Sequence, residues 1–172
     1  MANFQGDLMK LLIIRHAEAL DSDGINIRSD FDRPLSKKGI KQSNKLKKNL
    51  ARANIFPEIV LSSPLVRTSQ TSKLVFPDIS LKNHIYFEKP ELQPGANPEI
   101  ICKIIKEFNS QTVAIIGHMP DVGIFVSWLI GLVNSSIEME KCGAALVEFY
   151  GPPRAGTGNL KWLVGPEWKY RR

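Results

Sequence analysis

Short apolar runs alternate along this chain with segments whose apolar residues recur at helical spacing. MKLLIIR, residues 9–15, predicts a buried strand, and a loop rich in Asp, Ser and Gly follows through about Phe31. Ser36 predicts a cap for a helix from Lys37 to about Arg52, with Leu46 and Leu50 on one face. EIVLSS, 58–63, predicts a second strand, and Pro64 is expected to open a helix through about Val75. HIYFE, 84–88, reads as a shorter strand. KPELQPGANP, 89–98, reads as loop, broken by three prolines and a glycine. Asn97 then caps a helix from Pro98 to about Phe108, with Ile101, Ile104, Ile105 and Phe108 at helical spacing. TVAIIG, 112–117, is a fourth strand, followed by a helix from near Pro120. AALVEFY, 144–150, and LKWLV, 160–164, are the last strands, joined by a turn at 156–159.

Continuous apolar strands alternating with helices imply a mainly parallel sheet covered on both faces, an α/β three-layer sandwich. The expected boundaries are one domain over 9–172 and a tail over 1–8, where periodicity is missing. Ligands of such sheets bind beyond the carboxyl ends of the strands. Arg15 and His16 leave the end of the first strand, Ser62, Ser63 and Arg67 follow the second, and Gly117 and His118 leave the fourth. Polar groups therefore collect at the rim where a site belongs.

Composition narrows the picture. The 172 residues suffice for one sizeable core, and the longest apolar run is too short to span a bilayer or to form a signal-peptide core. A soluble cytoplasmic protein is expected, with no membrane partner. The two cysteines, Cys102 and Cys142, read as free and buried, in keeping with a reducing compartment. Three dispersed histidines and no acidic cluster argue against a metal site, and no Gly-rich nucleotide loop occurs. DSDG at 21–24 lacks the glutamate spacing of a calcium loop. The net charge of +6 is concentrated in KKGIKQSNKLKK, 37–48. Such a run suits a solvated helix face, or the steering of an anionic partner. It contains no interleaved aromatics, so no nucleic acid is expected as partner.

Arg15, His16, Arg67 and His118 together suggest phosphoryl chemistry. Two guanidiniums offer forked donors that match phosphate oxygens, and each charge-assisted bond contributes roughly 1.5–3 kcal/mol. An imidazole with one free nitrogen is a nucleophile, and His16 at a rigid strand end can be aimed at phosphorus. A second histidine can donate to the same group while cationic donors stabilise the charge on the equatorial oxygens. Each residue also has an ordinary reading, a satisfied structural histidine or a surface ion pair, and for His84 that reading is preferred.

Five segments carry a resemblance. IIRHAEA resembles the RHG motif of the histidine phosphatase superfamily, the phosphoglycerate-mutase-like fold. RPLSKKG, 33–39, resembles its PLT-x-x-G segment, and VLSSPLVRTSQTS, 60–72, its SSP-x-x-R-x-x-QT element. IIGHMPDVG, 115–123, resembles its GH element, and the PEL segment sits where the SixA-type branch of phosphohistidine phosphatases has a similar one. The resemblance implies that His16 is the phosphorylated nucleophile and that Arg15, Arg67 and His118 form the phosphate pocket. It implies Arg33 as a basic group near the mouth, Ser62 and Ser63 as weaker substrate-binding candidates because they mainly match a turn, and Glu91 as the positional candidate for a general acid. Ala17 replaces the family's glycine, a small change for a residue in ordinary backbone conformation. Glu18 and Asp121 are also near but read as loop and helix-start carboxylates.

The activity so implied is hydrolysis of phosphohistidine on a protein through a phospho-His16 intermediate, with phosphate or a similar anion in the pocket and no cofactor. An imidazole leaves more readily than an alkoxide, so a weak acid suffices. The short run between Val75 and Asn97 leaves little material for a lid, which suits a protein surface better than a small sugar phosphate. A small-molecule phosphomonoesterase and a phosphoprotein-binding module without turnover stay open as alternatives.

Overall fold

A computed structural model describes residues 8–77 and 85–170. Six strands form one sheet in the order β3-β2-β4-β1-β5-β6. They are β1 (Leu8–Arg15), β2 (Ile59–Ser62), β3 (Ile85–Glu88), β4 (Thr112–Gly117), β5 (Ala144–Tyr150) and β6 (Asn159–Val164). β1 to β4 pair in parallel, while β5 runs antiparallel to both of its neighbours. The helices are α1 (Lys37–Arg52), α2 (Val66–Val75), α3 (Pro98–Lys106) and α4 (Asp121–Leu129).

Strand alternation builds two cores from the same apolar runs. Leu11 and Ile13 of β1, Val113 and Ile115 of β4, and Val147 and Phe149 of β5 pack with α3 and α4. Leu12, Ile14, Ala114, Ile116 and Leu146 pack with α1 and α2 on the other face. Because both faces are covered, Leu11 to Ile14 are fully buried. Each such side chain contributes about 1.5–3 kcal/mol relative to exposure. The expected three-layer, mainly parallel arrangement is therefore present.

α1 begins where its cap predicts, with the Ser36 hydroxyl accepting the Gly39 amide at 3.0 Å. Its start is pressed against the segment that follows β1, and a Cβ on Gly39 would lie 2.0 Å from the Glu18 carbonyl oxygen. Alanine normally favours a helix interior over glycine, but here it must push backbone apart. Gly39→Ala is expected to lower unfolding stability by about 3 kcal/mol, measured by urea denaturation.

Several boundaries differ from expectation. Pro64 does not open α2. The chain bends through Pro64 and Leu65, with Leu65 as the cap in an extended backbone conformation, and the helix begins at Val66, whose amide donates to the Phe31 carbonyl at 3.0 Å. The Thr68 hydroxyl holds this entry by donating to the carbonyls of Ser63 and Leu65. The PEL segment is a 3-10 turn at Pro90–Leu92, with Leu92 buried in the α3/α4 core. α3 is capped by Asn97, as its sequence suggests, but stops at Lys106 before Phe108. His84 and residues 1–7 of the expected tail lie outside the described residues. Cys102 and Cys142 are buried and free. No helix among the described residues is long and apolar enough to cross a membrane.

Candidate active site

Parallel register sets the rim. Arg15 lies opposite Gly117 and Ser62 opposite Ile116, so His16, Ser63 and His118 are the next residues out from three adjacent strands. The His16 amide donates to the Gly117 carbonyl at 3.0 Å, and the Ser63 amide to Ile116 at 3.0 Å. On the other side the Cys142 amide donates to the His16 carbonyl at 3.0 Å, and the Arg15 amide to the Gly143 carbonyl at 3.1 Å. The histidine is thus held by backbone on both flanks.

The His16 Nδ1 lies 2.7 Å from the Ala17 carbonyl oxygen. A carbonyl only accepts, so Nδ1 carries the proton and Nε2 carries the lone pair. Burial, then the charges of Arg67, Arg15 and Lys141, outweigh that hydrogen bond and push the His16 pKa from 6.5 down to about 4. Ala17 is fully buried, and its amide donates to the Thr71 hydroxyl.

The His118 ring centroid lies 5.2 Å from that of His16. Its Nδ1 lies 3.4 Å from an Arg67 terminal nitrogen, which can only donate, so its Nε2 proton is directed to the Ser63 hydroxyl at 2.9 Å. Burial first, then His16 and Arg67, push the His118 pKa down to about 3.

Arg67, only 5% exposed, donates to the Asp30 carbonyl at 2.6 Å and to the Asp30 carboxylate at 2.9 Å. Arg15 donates to the Met139 carbonyl at 2.7 Å. Burial lowers the Arg15 pKa from its ordinary value, partly offset by Glu138. The Nε atoms of both arginines are buried without a hydrogen-bond partner among the described residues. Orphaned buried donors are costly and rare in proteins. With Arg67 against His118, His118 against His16, and the charges of both arginines bearing on His16, the cluster is cationic in the way an oxyanion site requires.

The remaining candidates divide. Arg33 is a loop staple, donating to the Leu20 carbonyl, to Asp21 and to Asp30, each at 2.7 to 2.9 Å. The Ser62 hydroxyl is fully buried and donates to the Ser63 carbonyl; it is Ser63 that meets His118. Glu91 is exposed on the 3-10 turn, and no hydrogen bond or ion pair joins it to the histidines or arginines among the described residues. That turn does adjoin the rim, since the Leu92 carbonyl oxygen lies 3.9 Å from a Cβ built on Gly117. Glu18 is held by Ser36 and Lys38, and Asp121 accepts the Gly95 amide at 2.9 Å. Both carboxylates brace loops. No group of three metal-ligating side chains occurs among the described residues.

Asp30, Thr71 and the 137–143 segment were not singled out by sequence reasoning. Asp30 sits in a polar loop without periodicity, and Met139 acts through its backbone carbonyl, which no side-chain pattern reveals. The Q-T pair that follows Arg67 was the available signal for Thr71.

Both histidines are neutral when folded and take up protons when unfolded. Between about pH 6.5 and pH 4 the unfolded chain binds more protons, so stability falls as pH drops through that window. The slope is about 1.4 kcal/mol per pH unit for each histidine. Urea denaturation at pH 7, 6 and 5 is expected to show this decline, with a shallower slope in His118→Asn.

The histidine phosphatase superfamily (branch 1) model matches residues 11–87. An uncharacterised chloroplastic protein of Arabidopsis thaliana is 28% identical over 175 residues, covering 92% of this chain and 78% of its own length. The protein histidine phosphatase SixA, solved with tungstate, is 25% identical with a TM-score of 0.78, covering 92% of this chain and 97% of that one. The alpha-ribazole phosphatase of Shigella flexneri shares the fold at 17% identity and a TM-score of 0.67, covering 95% of this chain and all 100% of its own.

Proposed function

We propose that this chain is a phosphatase of the histidine phosphatase superfamily, whose model matches residues 11–87, and that it hydrolyses phosphohistidine on a protein through a phospho-His16 intermediate. The observation that carries this reading is the meeting of four groups at one rim: the His16 and His118 rings are 5.2 Å apart, Arg67 lies 3.4 Å from His118, and the charges of Arg15 and Arg67 bear on His16. The likeness to a protein histidine phosphatase that holds tungstate, a tetrahedral oxyanion, supports it.

The His16 Nε2 lone pair forms a bond to phosphorus as the phosphorus–nitrogen bond of the substrate breaks. A phosphohistidine already protonated on its other ring nitrogen leaves as neutral imidazole, so the enzyme need supply no proton. Arg15, Arg67 and the His118–Ser63 pair stabilise the charge that builds on the equatorial oxygens. Water then attacks phospho-His16, releasing inorganic phosphate and returning the neutral imidazole. The depressed His16 pKa keeps that nitrogen unprotonated above about pH 4.

A phosphomonoesterase is the second reading, favoured by the position of the PEL turn against the end of β4. The two separate at Glu91. For phosphohistidine hydrolysis, Glu91→Gln is expected to change kcat by less than about threefold. With an alkoxide leaving group, the same change is expected to cost roughly a hundredfold, the contribution of a general acid. The test compares turnover of a panel of phosphohistidine proteins and phosphomonoesters by wild type and Glu91→Gln. Faster turnover of the monoesters, lost in the variant, would overturn the first reading. A binding module without turnover would release no phosphate from a phosphoramidate beyond what His16→Ala releases.

A further inference from the structure

We propose that the groove between α1 and α2 docks an acidic amphipathic helix of the phosphoprotein substrate, an inference that rests on the phosphoprotein reading above. The groove has a volume of about 350 Å³ and is lined by Leu35, Ile40, Gln70, Lys73 and Leu74. Ile40 is 42% exposed there, an apolar side chain on an otherwise polar helix surface.

The charge beside this groove is one-sided. Lys37, Lys41, Lys48 and Arg52, like Lys47 farther round the helix, are exposed and form no ion pair among the described residues, whereas Lys38 and Lys45 are paired with Glu18 and Glu167. At 3.6 residues per turn those four cations fall within about 60° around the helix, as a stripe with Ile40 on its flank. Lys73, also exposed, edges the groove from α2. α1 contains no acidic residue, and its first turn carries lysines where the helix dipole favours carboxylates. That arrangement destabilises the helix start locally, and an acidic partner would reverse the effect.

The groove adjoins segments that carry the site residues. The Leu35 amide donates to the Gln70 side chain at 2.7 Å, and Gln70 lies one turn beyond Arg67. Leu35 also bridges Ala19, three residues past His16. The 16 residues of α1 extend about 24 Å at 1.5 Å per residue, so a partner helix of similar length can lie along it and present a side chain at the rim. Its apolar stripe would meet Ile40 and Leu74, and its carboxylates the lysines.

The test uses three probes: a helical peptide of about 20 residues with a leucine stripe, a glutamate flank and one phosphohistidine; a matched peptide with lysines for the glutamates; and phosphoimidazole. Wild type is expected to favour the acidic peptide in kcat/KM by about tenfold or more. Lys37→Glu/Lys41→Glu/Lys73→Glu reverses that preference, Ile40→Asp weakens the acidic peptide's KM, and both variants turn over phosphoimidazole at the wild-type rate. Anisotropy of the unphosphorylated peptides gives the same ranking without catalysis. Failure of wild type on phosphoimidazole therefore counts against the phosphatase reading, while peptide binding still decides the docking site. Equal affinity for the two peptides, or an acidic preference surviving in the triple variant, overturns the proposal. So does a DNA duplex that binds more tightly than the acidic peptide and loses affinity in the triple variant.

Discussion

Replacing His16 by alanine is expected to lower kcat for phosphoimidazole hydrolysis by about 10⁴-fold or more, because the covalent step is lost entirely. Burst-phase labelling checks the cause: wild type mixed with labelled phosphoramidate carries acid-labile label on the protein, and His16→Ala carries none. The geometry makes this result specific to the side chain. His16 is held by backbone hydrogen bonds from Cys142 and to Gly117, neither of which uses the imidazole. The circular dichroism spectrum and urea midpoint are therefore expected to stay near wild type. An unchanged rate in the alanine variant would mean that phosphorus is attacked by another group, and the proposed mechanism would fall.

Arg67→Ala is the second large effect, about a 10³-fold loss in kcat/KM, the range seen when a donor aimed at developing oxyanion charge is removed. Its consequence for stability is expected to be small, for an asymmetric reason. The Arg67 side chain is 6% exposed, while its partner Asp30 is 59% exposed. Deleting the buried member leaves a carboxylate that returns to water and keeps its hydrogen bond to Arg33. Deleting the exposed member would instead leave a buried guanidinium without compensation. Arg67→Lys is expected to recover little of the lost rate, since an ammonium lacks the planar fork that reaches Asp30 and the oxyanion together. Steady-state kinetics with phosphoimidazole and thermal unfolding of the same preparations separate the two effects.

How much of this was legible in the sequence follows from the range of each interaction. α1 was legible at both ends because its cap, Ser36, and its apolar positions, Leu46 and Leu50, lie within the helix or next to it. The strands were legible because burial on both faces leaves unbroken apolar runs, and β1 and β4 are such runs. The meeting of His16 with His118 followed from adjacent parallel strands ending in register. The start of α2 was not legible, since a proline suits a first turn locally and only the Phe31 carbonyl, far along the chain, sets the entry at Val66. Asp30 was missed for the same reason: its two arginine partners are 3 and 37 residues away, and nothing in its own loop marks it. Ser62 and Ser63 look alike in sequence, and only strand alternation decides which hydroxyl reaches His118.

The clamp on Arg15 bears on how the protein comes to be active during synthesis. Its Met139 partner is 124 positions downstream, and the family model covers only 11–87. A nascent chain can therefore display every signature motif up to Arg67, and even His118, while its first arginine still swings free. The Arg15 clamp can form only once residue 139 has been made, so placement of that guanidinium waits for the 137–143 segment. Truncated fragments ending before that segment are expected to be inert however faithfully they carry the motifs.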